Sequence, residues 1–492
     1  MSAFTRQRED ALAVVRAAIA AADPAKLVRG SLRREGERLE VAGGVTPRDA
    51  RTCGGAAGTS AGPQQVTGPQ QVYDLSRFRN IYVVGAGKAG AHMAAAIESV
   101  LGERITAGKV VVKEGHGGAG SAVEAGIIRR AGSQYIGKTP PSSRIKILEA
   151  SHPVPDERGA RGAREILELA GRAGEEDLVI CLISGGGSAL MALPAAGLTL
   201  DDLKAATAAL LGSGAAIGEV NTVRKHLTMA SGGRLAAAAF PATMLTLIIS
   251  DVIGDCLDAI ASGPAVPDAT TCADALAVIG KYGLERELPV AVTRHLRAGA
   301  AGKEPETPKP GDPLFERVRN VILGSNRTAL DAAAAAAAGL GYHTLTLTSL
   351  LEGEAREVAR VFAALAREEE ERGRPQPLPA CVLAGGETTV TVRGRGRGGR
   401  AQEFTLAAAL AMSGLEQSLV FAAGTDGNDG PTDAAGAFAG GNTAPRAREC
   451  GLDPEAYLAG NDSYPFFQEL GDLIITGPTG TNVNDIYGVL VG

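Results

Sequence analysis

Short runs of β-branched and other apolar residues recur along this chain, and each ends in a turn rich in glycine and polar residues. They are Ile81–Gly90 (IYVVGAGKAG), Leu178–Ser188 (LVICLISGGGS), Leu245–Asp255 (LTLIISDVIGD), Val321–Thr328 (VILGSNRT), Cys381–Glu387 (CVLAGGE), Leu419–Gly430 (LVFAAGTDGNDG) and Leu473–Asp485 (LIITGPTGTNVND). A helix-forming Ala/Leu segment often follows. Continuous apolar strands alternating with helices predict an α/β fold whose mainly parallel sheets are covered on both faces. Ligands of such sheets bind beyond the carboxyl ends of the strands. Those ends are where this chain concentrates its Gly, Asp, Asn, Ser and Lys.

The N-terminal stretch MSAFTRQREDALAVVRAAIAAADP repeats its apolar residues about every 3.6 positions and predicts an amphipathic helix. Charges interrupt it and no apolar core follows, so it does not read as a signal peptide. The segment Arg33–Val72 is polar and rich in Gly and Gln, and predicts a long exposed insertion. Ala300–Pro313 (AAGKEPETPKPGDP) is rich in proline, which neither a helix nor a central strand accommodates. It places a domain boundary near Pro313, giving an N-terminal domain over 1–315 and a C-terminal domain over 316–492.

Composition narrows the classes. With 492 residues, 45% apolar and 21% charged, the chain has material for two globular domains and is not a disordered polymer. Its 66 glycines follow no Gly-X-Y period. A formal charge of −6 argues against a dedicated nucleic-acid binder. The six cysteines form no C-x-x-C pair and read as free thiols in a reducing cytoplasm. No stretch is both long and apolar enough to span a bilayer.

Several turns carry candidate chemistry. Gly85-Ala86-Gly87-Lys88-Ala89-Gly90 follows a strand and satisfies G-x-G-x-x-G; Gly85, Gly87 and Gly90 let backbone amides approach a phosphate. Glu114 lies near the end of the next strand, at the spacing of a ribose-binding acid. Lys88, within the turn, adds a point charge suited to polyphosphate instead. Ser184-Gly185-Gly186-Gly187-Ser188 can form an anion-binding nest of amides. Ser188 is a poor nucleophile candidate, because Leu190 breaks the G-x-S-x-G pattern. On a helix over EVNTVRKH, residues Glu219, Asn221, Arg224 and Lys225 partly converge, and Arg224 can grip a carboxylate bidentately. Asp255 and Asp426 stand at strand ends as oxygen ligands for Mg²⁺. Arg393–Arg400 reads as a basic loop after a strand (ETTVTV), with Arg400 at the N-terminus of a helix. His152 reads as a free-loop histidine. From residues alone, a kinase, a nicotinamide-dependent reductase and a non-catalytic nucleotide or sugar-acid binder all stay open.

Taken together and in order, VGAGKAG, SHPVP, LISGGGSAL, EVNTVRKHL, GGRLA, ISDVIGD, IASGP, GSN, GGETTV, GGRAQE, GTDGNDGPTDAAGA and TGPTGTNVND resemble the class II glycerate 2-kinase family. Its C-terminal part carries the MOFRL domain, and some of its members bear the name hydroxypyruvate reductase. The resemblance spans Ile81 to Gly492 and, more loosely, the N-terminal helix. It implies two Rossmann-like three-layer α/β/α domains with the active site in a cleft between them. It implies ATP-dependent phosphorylation of D-glycerate at its 2-hydroxyl with Mg²⁺. Lys88 matches the family's lysine in the glycine turn, and Arg400 its arginine ahead of the Gln-Glu pair. Under that resemblance Lys88 and Ser184 to Ser188 bind anionic oxygens, and Arg224 or Lys225 takes the glycerate carboxylate. Arg400 stabilises the transferring group, and Asp255 or Asp426 holds Mg²⁺ or orients the hydroxyl. Asn326, Gly386, Glu387, Thr479 and Asn482 join Gly85, Gly87 and Gly90 around the nucleotide. The expected partners are small molecules, ATP and D-glycerate, with no nucleic acid, no membrane and room for a homodimer. The chain departs from the family at Ser231, where Lys is usual, at Ala401, where Asn is usual, and at Cys256, often an acid.

Overall fold

The computed structural model describes residues 3–42, 71–117 and 143–492. They fall into two compact units. One runs from Pro24 to Leu323; the other combines the N-terminal helix, through Asp23, with Gly324–Gly492. The proline-rich segment is therefore not the divide. It folds back inside the first unit, where Pro308 O accepts from Asp268 N at 2.9 Å and Thr307 Oγ1 donates to Asp268 at 3.0 Å. Proline forbids regular structure, but it does not forbid packing.

The strands of the first unit are β1 (Leu32–Glu35), β2 (Arg38–Val41), β3 (Gln71–Asp74), β4 (Asn80–Ala86), β5 (Ala107–Lys113), β6 (Ile145–Ala150), β7 (Asp177–Ile183), β8 (Thr243–Ile249) and β9 (Val318–Gly324). The main sheet has the order β6-β5-β4-β7-β8-β9. β6 through β8 pair in parallel, as the apolar runs predict. β7 is buried along its whole length because helices cover both faces. The chain builds outward from β4 to β5 and β6, then returns to add β7 on the other side of β4. The order thus reverses between β4 and β7, where the carboxyl ends of an open sheet leave a crevice. Helices Leu200–Gly212, Ile217–Leu227, Cys272–Lys281 and Val290–Ala300 gather around their own core, including Leu203, Leu210, Val223, Ile279 and Leu296. The expected insertion is partly regular: its ends form the antiparallel sheet β1-β2-β3. Residues 43–70, its middle, lie outside the described residues.

The second unit holds β10 (His343–Leu351), β11 (Ala380–Gly386), β12 (Ser418–Gly424), β13 (Gly436–Gly440), β14 (Leu473–Ile474) and β15 (Asp485–Val491), in the order β10-β11-β15-β12-β13-β14. Here β10 and β11 are parallel, whereas β15 runs antiparallel to both β11 and β12. β13 is antiparallel to β12 and β14. A mainly parallel sheet was expected in both domains, and this one is mixed. A run buried on both faces looks the same in either direction, so pattern alone does not set strand polarity. The run Leu473–Asp485 contributes only the short β14, and the long strand follows it at Asp485. Glu387–Val392, expected as a strand, forms only an isolated bridge from Thr389 to Glu354.

Helix Ala3–Ala21 belongs to this second unit. Ala11, Val14, Val15 and Ala18 are buried. Gln7 Nε2 donates to Gln417 O at 2.7 Å, Arg8 pairs with Asp472 at 2.8 Å, and Tyr342 Oη donates to Asp10 at 2.9 Å. The expected free thiols are found at Cys181, Cys272, Cys381 and Cys450. Cys256 instead is disulfide-bonded. No helix among the described residues is long and apolar enough to cross a membrane.

Candidate functional site

The turns after β4 and β7 lock together at the reversal point of the first sheet. Lys88 N donates to Gly185 O at 2.9 Å, Ala89 N to Ser184 Oγ at 3.0 Å, and Ser184 N to Ala86 O at 3.2 Å. Gly87 must be glycine: its φ is +144°, and a Cβ there would lie 2.1 Å from Ser184 Oγ. Gly85 lies in β4, one residue before its end, and Gly90 opens helix Gly90–Leu101. The predicted glycine turn and the predicted nest are therefore one structure. Ser188 Oγ lies 2.9 Å from Ser262 Oγ, which donates to Asn221 Oδ1 at 3.4 Å. That chain ties the nest to helix Ile217–Leu227. Asp255, Ala261 and Ser262 hold left-handed backbone at φ +56°, +50° and +57°, strained for residues with a side chain.

On that helix the four expected substrate residues separate. Asn221 reaches the nest through Ser262. Arg224 is half-buried and, among the described residues, carries no hydrogen bond or ion pair. Burial holds its pKa below the usual arginine value. An arginine in that condition is suited to receive an anion. Glu219 does not join them. It accepts from Ala216 N at the helix start and binds Lys281 Nζ and Tyr282 Oη, each at 2.7 Å. Lys225 is buried between Asp258 and Asp268, 3.6 Å from each, and neutralises those acids. Sequence spacing gives the shared face of a helix, but not which end is already taken.

His152, expected in a free loop, stands at the nest. Gly186 has φ +85°, and a Cβ on it would meet the His152 ring at 2.9 Å and Lys88 Cγ at 3.6 Å. Burial, then the charges of Lys88, Lys113 and His116, push the His152 pKa down to about 4. His116 Nδ1 lies 3.2 Å from Lys88 O; burial and Lys113 lower its pKa too. The signal for His152 was its place in SHPVP; nothing marked His116. Gly186→Ala is expected to cost about 1–2 kcal/mol for the left-handed backbone and to displace the imidazole. Denaturant unfolding measures the first effect and steady-state kinetics the second.

In the second unit, Gly386 at the end of β11 and Gly424 at the end of β12 both pair with Asp485 at the start of β15. Arg400, the first residue of helix Arg400–Ala411, grips Asp485 bidentately: Nε donates at 2.5 Å and Nη2 at 3.0 Å. Its Nη1 also pairs with Glu387. Burial works against the Arg400 charge, but Asp485 and Glu387 outweigh it and raise its pKa. Tyr487 Oη donates to Asp485 at 2.9 Å. Asp429 accepts from Ala401 N at 3.1 Å and Gln402 N at 2.8 Å, so the position where Asn is usual works here through its backbone. Asp426 Oδ1 accepts from Asn428 N at 3.0 Å. Thr479 Oγ1 donates to Thr425 O at 2.6 Å, and Asn482 Oδ1 accepts from Asn484 N at 3.2 Å. Thr479 and Asn482 thus shape the loop ahead of β15. Asn326 is buried and clamps that loop's end, its Nδ2 donating to Val483 O at 2.9 Å and Asp485 O at 3.0 Å. It serves the fold there. The sequence reading missed Asp485, Tyr487 and Asp429; Asp485 was the last residue of the TNVND signal.

Burial and the neighbouring Asp485 raise the Asp429 pKa to about 7. A folded pKa above the unfolded one favours the folded state fully below about 4, and that gain is lost as pH rises through about 7. Stability is therefore expected to increase on acidification from pH 8 toward 5. In Asp429→Asn, thermal melts across that range should lose part of the slope.

Metal ligation was expected of Asp255 and Asp426, which the chain places in different units. Among the described residues, neither belongs to a cluster of three ligating side chains. The cluster found among the described residues is His226, Cys272 and Glu306, and Glu306 there is also paired with Lys309 at 3.2 Å. Magnesium usually takes one or two carboxylates and completes its shell with water and phosphate oxygens. A single strand-end carboxylate such as Asp426 fits that habit and does not fit a dedicated protein cage.

A mainly parallel sheet whose reversal point carries two interlocked glycine-rich turns and a lysine, with helix Ile217–Leu227 tied to them through Ser262, defines an α/β protein. Comparison with known proteins makes this specific. Residues 10–297 match the family described as a domain of unknown function, DUF4147, and residues 380–485 match the MOFRL family. The chain is 43% identical over 412 residues to the D-glycerate 2-kinase of Thermotoga maritima, covering 84% of this chain and 91% of that one. It is 47% identical over 412 residues to an Agrobacterium vitis protein provisionally named a hydroxypyruvate reductase, covering 83% and 87%. A crystal structure of glycerate kinase from T. maritima superposes with a TM-score of 0.79 at 38% identity, covering 99% of this chain and all of that one. The chain belongs to the glycerate 2-kinase family.

Proposed function

We propose that this protein transfers the γ-phosphoryl group of ATP to the 2-hydroxyl of D-glycerate, giving 2-phosphoglycerate and ADP. The observation that carries this reading is the joined turn of β4 and β7, with Lys88 in it and Arg224, unpartnered among the described residues, on the helix tied to it. Successive amides and a point charge suit a phosphate; a bidentate guanidinium suits the glycerate carboxylate. Relatives named as glycerate kinases support the same reading.

Phosphoryl transfer asks for in-line positioning and neutralised charge more than for covalent help. In this reading Lys88 and the amides of Gly185 to Gly187 neutralise oxygens of the moving group. Arg224 orients the three-carbon acid by its carboxylate. Within the second unit, Arg400, held by Asp485, is the guanidinium this reading assigns to a phosphoryl oxygen, and Gly386, Glu387 and Thr479 are the residues it assigns to the nucleotide. Asp426 or Asp255 would hold magnesium, which would supply positive charge against the phosphates. A cytoplasmic location and a homodimer belong to the same reading, and light scattering measures the second.

Phosphorus NMR of the product from ATP, Mg²⁺ and D-glycerate tests activity and position together. A 3-phosphate, or no product, removes the assignment. The Agrobacterium name and the G-x-G-x-x-G turn favour one second reading, reduction of hydroxypyruvate by a nicotinamide. Its ribose-binding acid would be Glu114, which is exposed and paired with Arg158 at 3.0 Å. Incubation with NADH and hydroxypyruvate should leave the absorbance at 340 nm unchanged; a steady fall would reinstate the reductase.

A further inference from the structure

We infer that His152 accepts the proton of the attacking 2-hydroxyl, an assignment that rests on the kinase reading above. Its ring edge and the Lys88 stem border the same point above Gly186. The imidazole therefore faces the place where a phosphoryl oxygen and its attacker meet if the nest holds the moving group. Neither ring nitrogen of His152 makes a hydrogen bond among the described residues. His116 differs, because its Nδ1 is already engaged with Lys88 O.

The surroundings keep this ring ready to accept. Burial favours the uncharged ring, and Lys88, Lys113 and His116 facing it add to that effect, so the neutral form prevails at ordinary pH. A neutral imidazole holds a lone pair, which a proton acceptor needs. Across the turn, the Asp251 carboxylate packs against the backbone of Gly185 and is the competing acceptor. Asp156 and Arg158, next along the chain, are paired with each other at 2.6 Å.

The step balances. The O–H bond of the 2-hydroxyl breaks and its proton passes to His152. The freed electron pair of that oxygen forms the bond to the γ-phosphorus. The bond from the γ-phosphorus to the bridging oxygen breaks, and ADP leaves with its electrons. Anionic substrate beside the ring offsets the cations that depress it. The acid limb of kcat should therefore lie at higher pH than that of kcat/KM.

The test is a pH–rate profile of the wild type and His152→Asn, with His152→Gln as the second variant should the first not fold by circular dichroism. Wild-type kcat/KM is expected to hold level through the ordinary histidine range and to fall only toward about pH 4. The variant should lose roughly 10²–10⁴-fold in kcat, keep KM for D-glycerate within about threefold, and lack the acid limb. Turnover within about threefold of wild type would overturn the assignment, as would a slow variant that keeps the limb unchanged. Loss of the limb in Asp251→Asn instead would move the role there. A wild type that releases no ADP with D-glycerate removes the kinase reading, and this inference with it.

Discussion

Lys88→Ala is expected to lower kcat by roughly 10²–10³-fold, the loss seen when a preorganised donor to developing charge is removed. The fold should survive. The backbone of Lys88 makes the bond to Gly185 O, and that bond does not depend on the side chain. Far-ultraviolet circular dichroism and thermal melting check this, and steady-state kinetics with ATP and D-glycerate measure the loss. A second consequence follows from the His152 environment. Lys88 is the strongest charge holding that imidazole down, so its removal should move the remaining activity's acid limb toward the ordinary histidine range. Lys88→Arg should rescue poorly, because a planar fork does not replace a compact ammonium in a tight glycine turn. Near-normal turnover in Lys88→Ala would take the residue out of the reaction.

Arg400→Ala should cost roughly 10³-fold or more in kcat, the scale of an arginine that stabilises a transferring phosphoryl. Unlike Lys88, it should also weaken the fold. Asp485 is nearly buried, and without Arg400 it would face Asp429 and Glu387 unpaired. A fully buried broken pair costs more, but Arg400 is 32% exposed. A loss of about 1–3 kcal/mol is therefore expected. Urea unfolding would register it. Arg400→Lys separates the two effects: a single charge restores much of the stability, while the bidentate grip on Asp485 stays lost. Full turnover in Arg400→Ala would confine the residue to holding β15 in place.

The two substitutions also show how differently the sites could be read from sequence. The glycine turn at Gly85–Gly90 and the nest at Ser184–Ser188 were legible because each is local: a strand, a glycine-rich turn and a helix start within a dozen residues. Arg400 at the start of a helix was legible for the same reason. Asp485 was not, since its importance comes from pairing with Gly386 and Gly424 across strands far apart in sequence. His152 does lie in a loop, but it was read as free because its neighbours, Gly186 and Lys88, come from two other turns. Glu219 and Lys225 carried the right chemistry, but Lys281 and Asp268 had already claimed it.

Local pattern determined the α/β class, the strand runs, the N-terminal helix and the glycine-rich turns, because backbone geometry and burial impose periods and glycine positions within short windows. Tertiary structure decided strand polarity in the second sheet, the return of the N-terminal helix to the C-terminal residues, and which charged groups remain unpaired. Those depend on pairings between distant segments, and on the burial and charge each side chain meets once they are brought together.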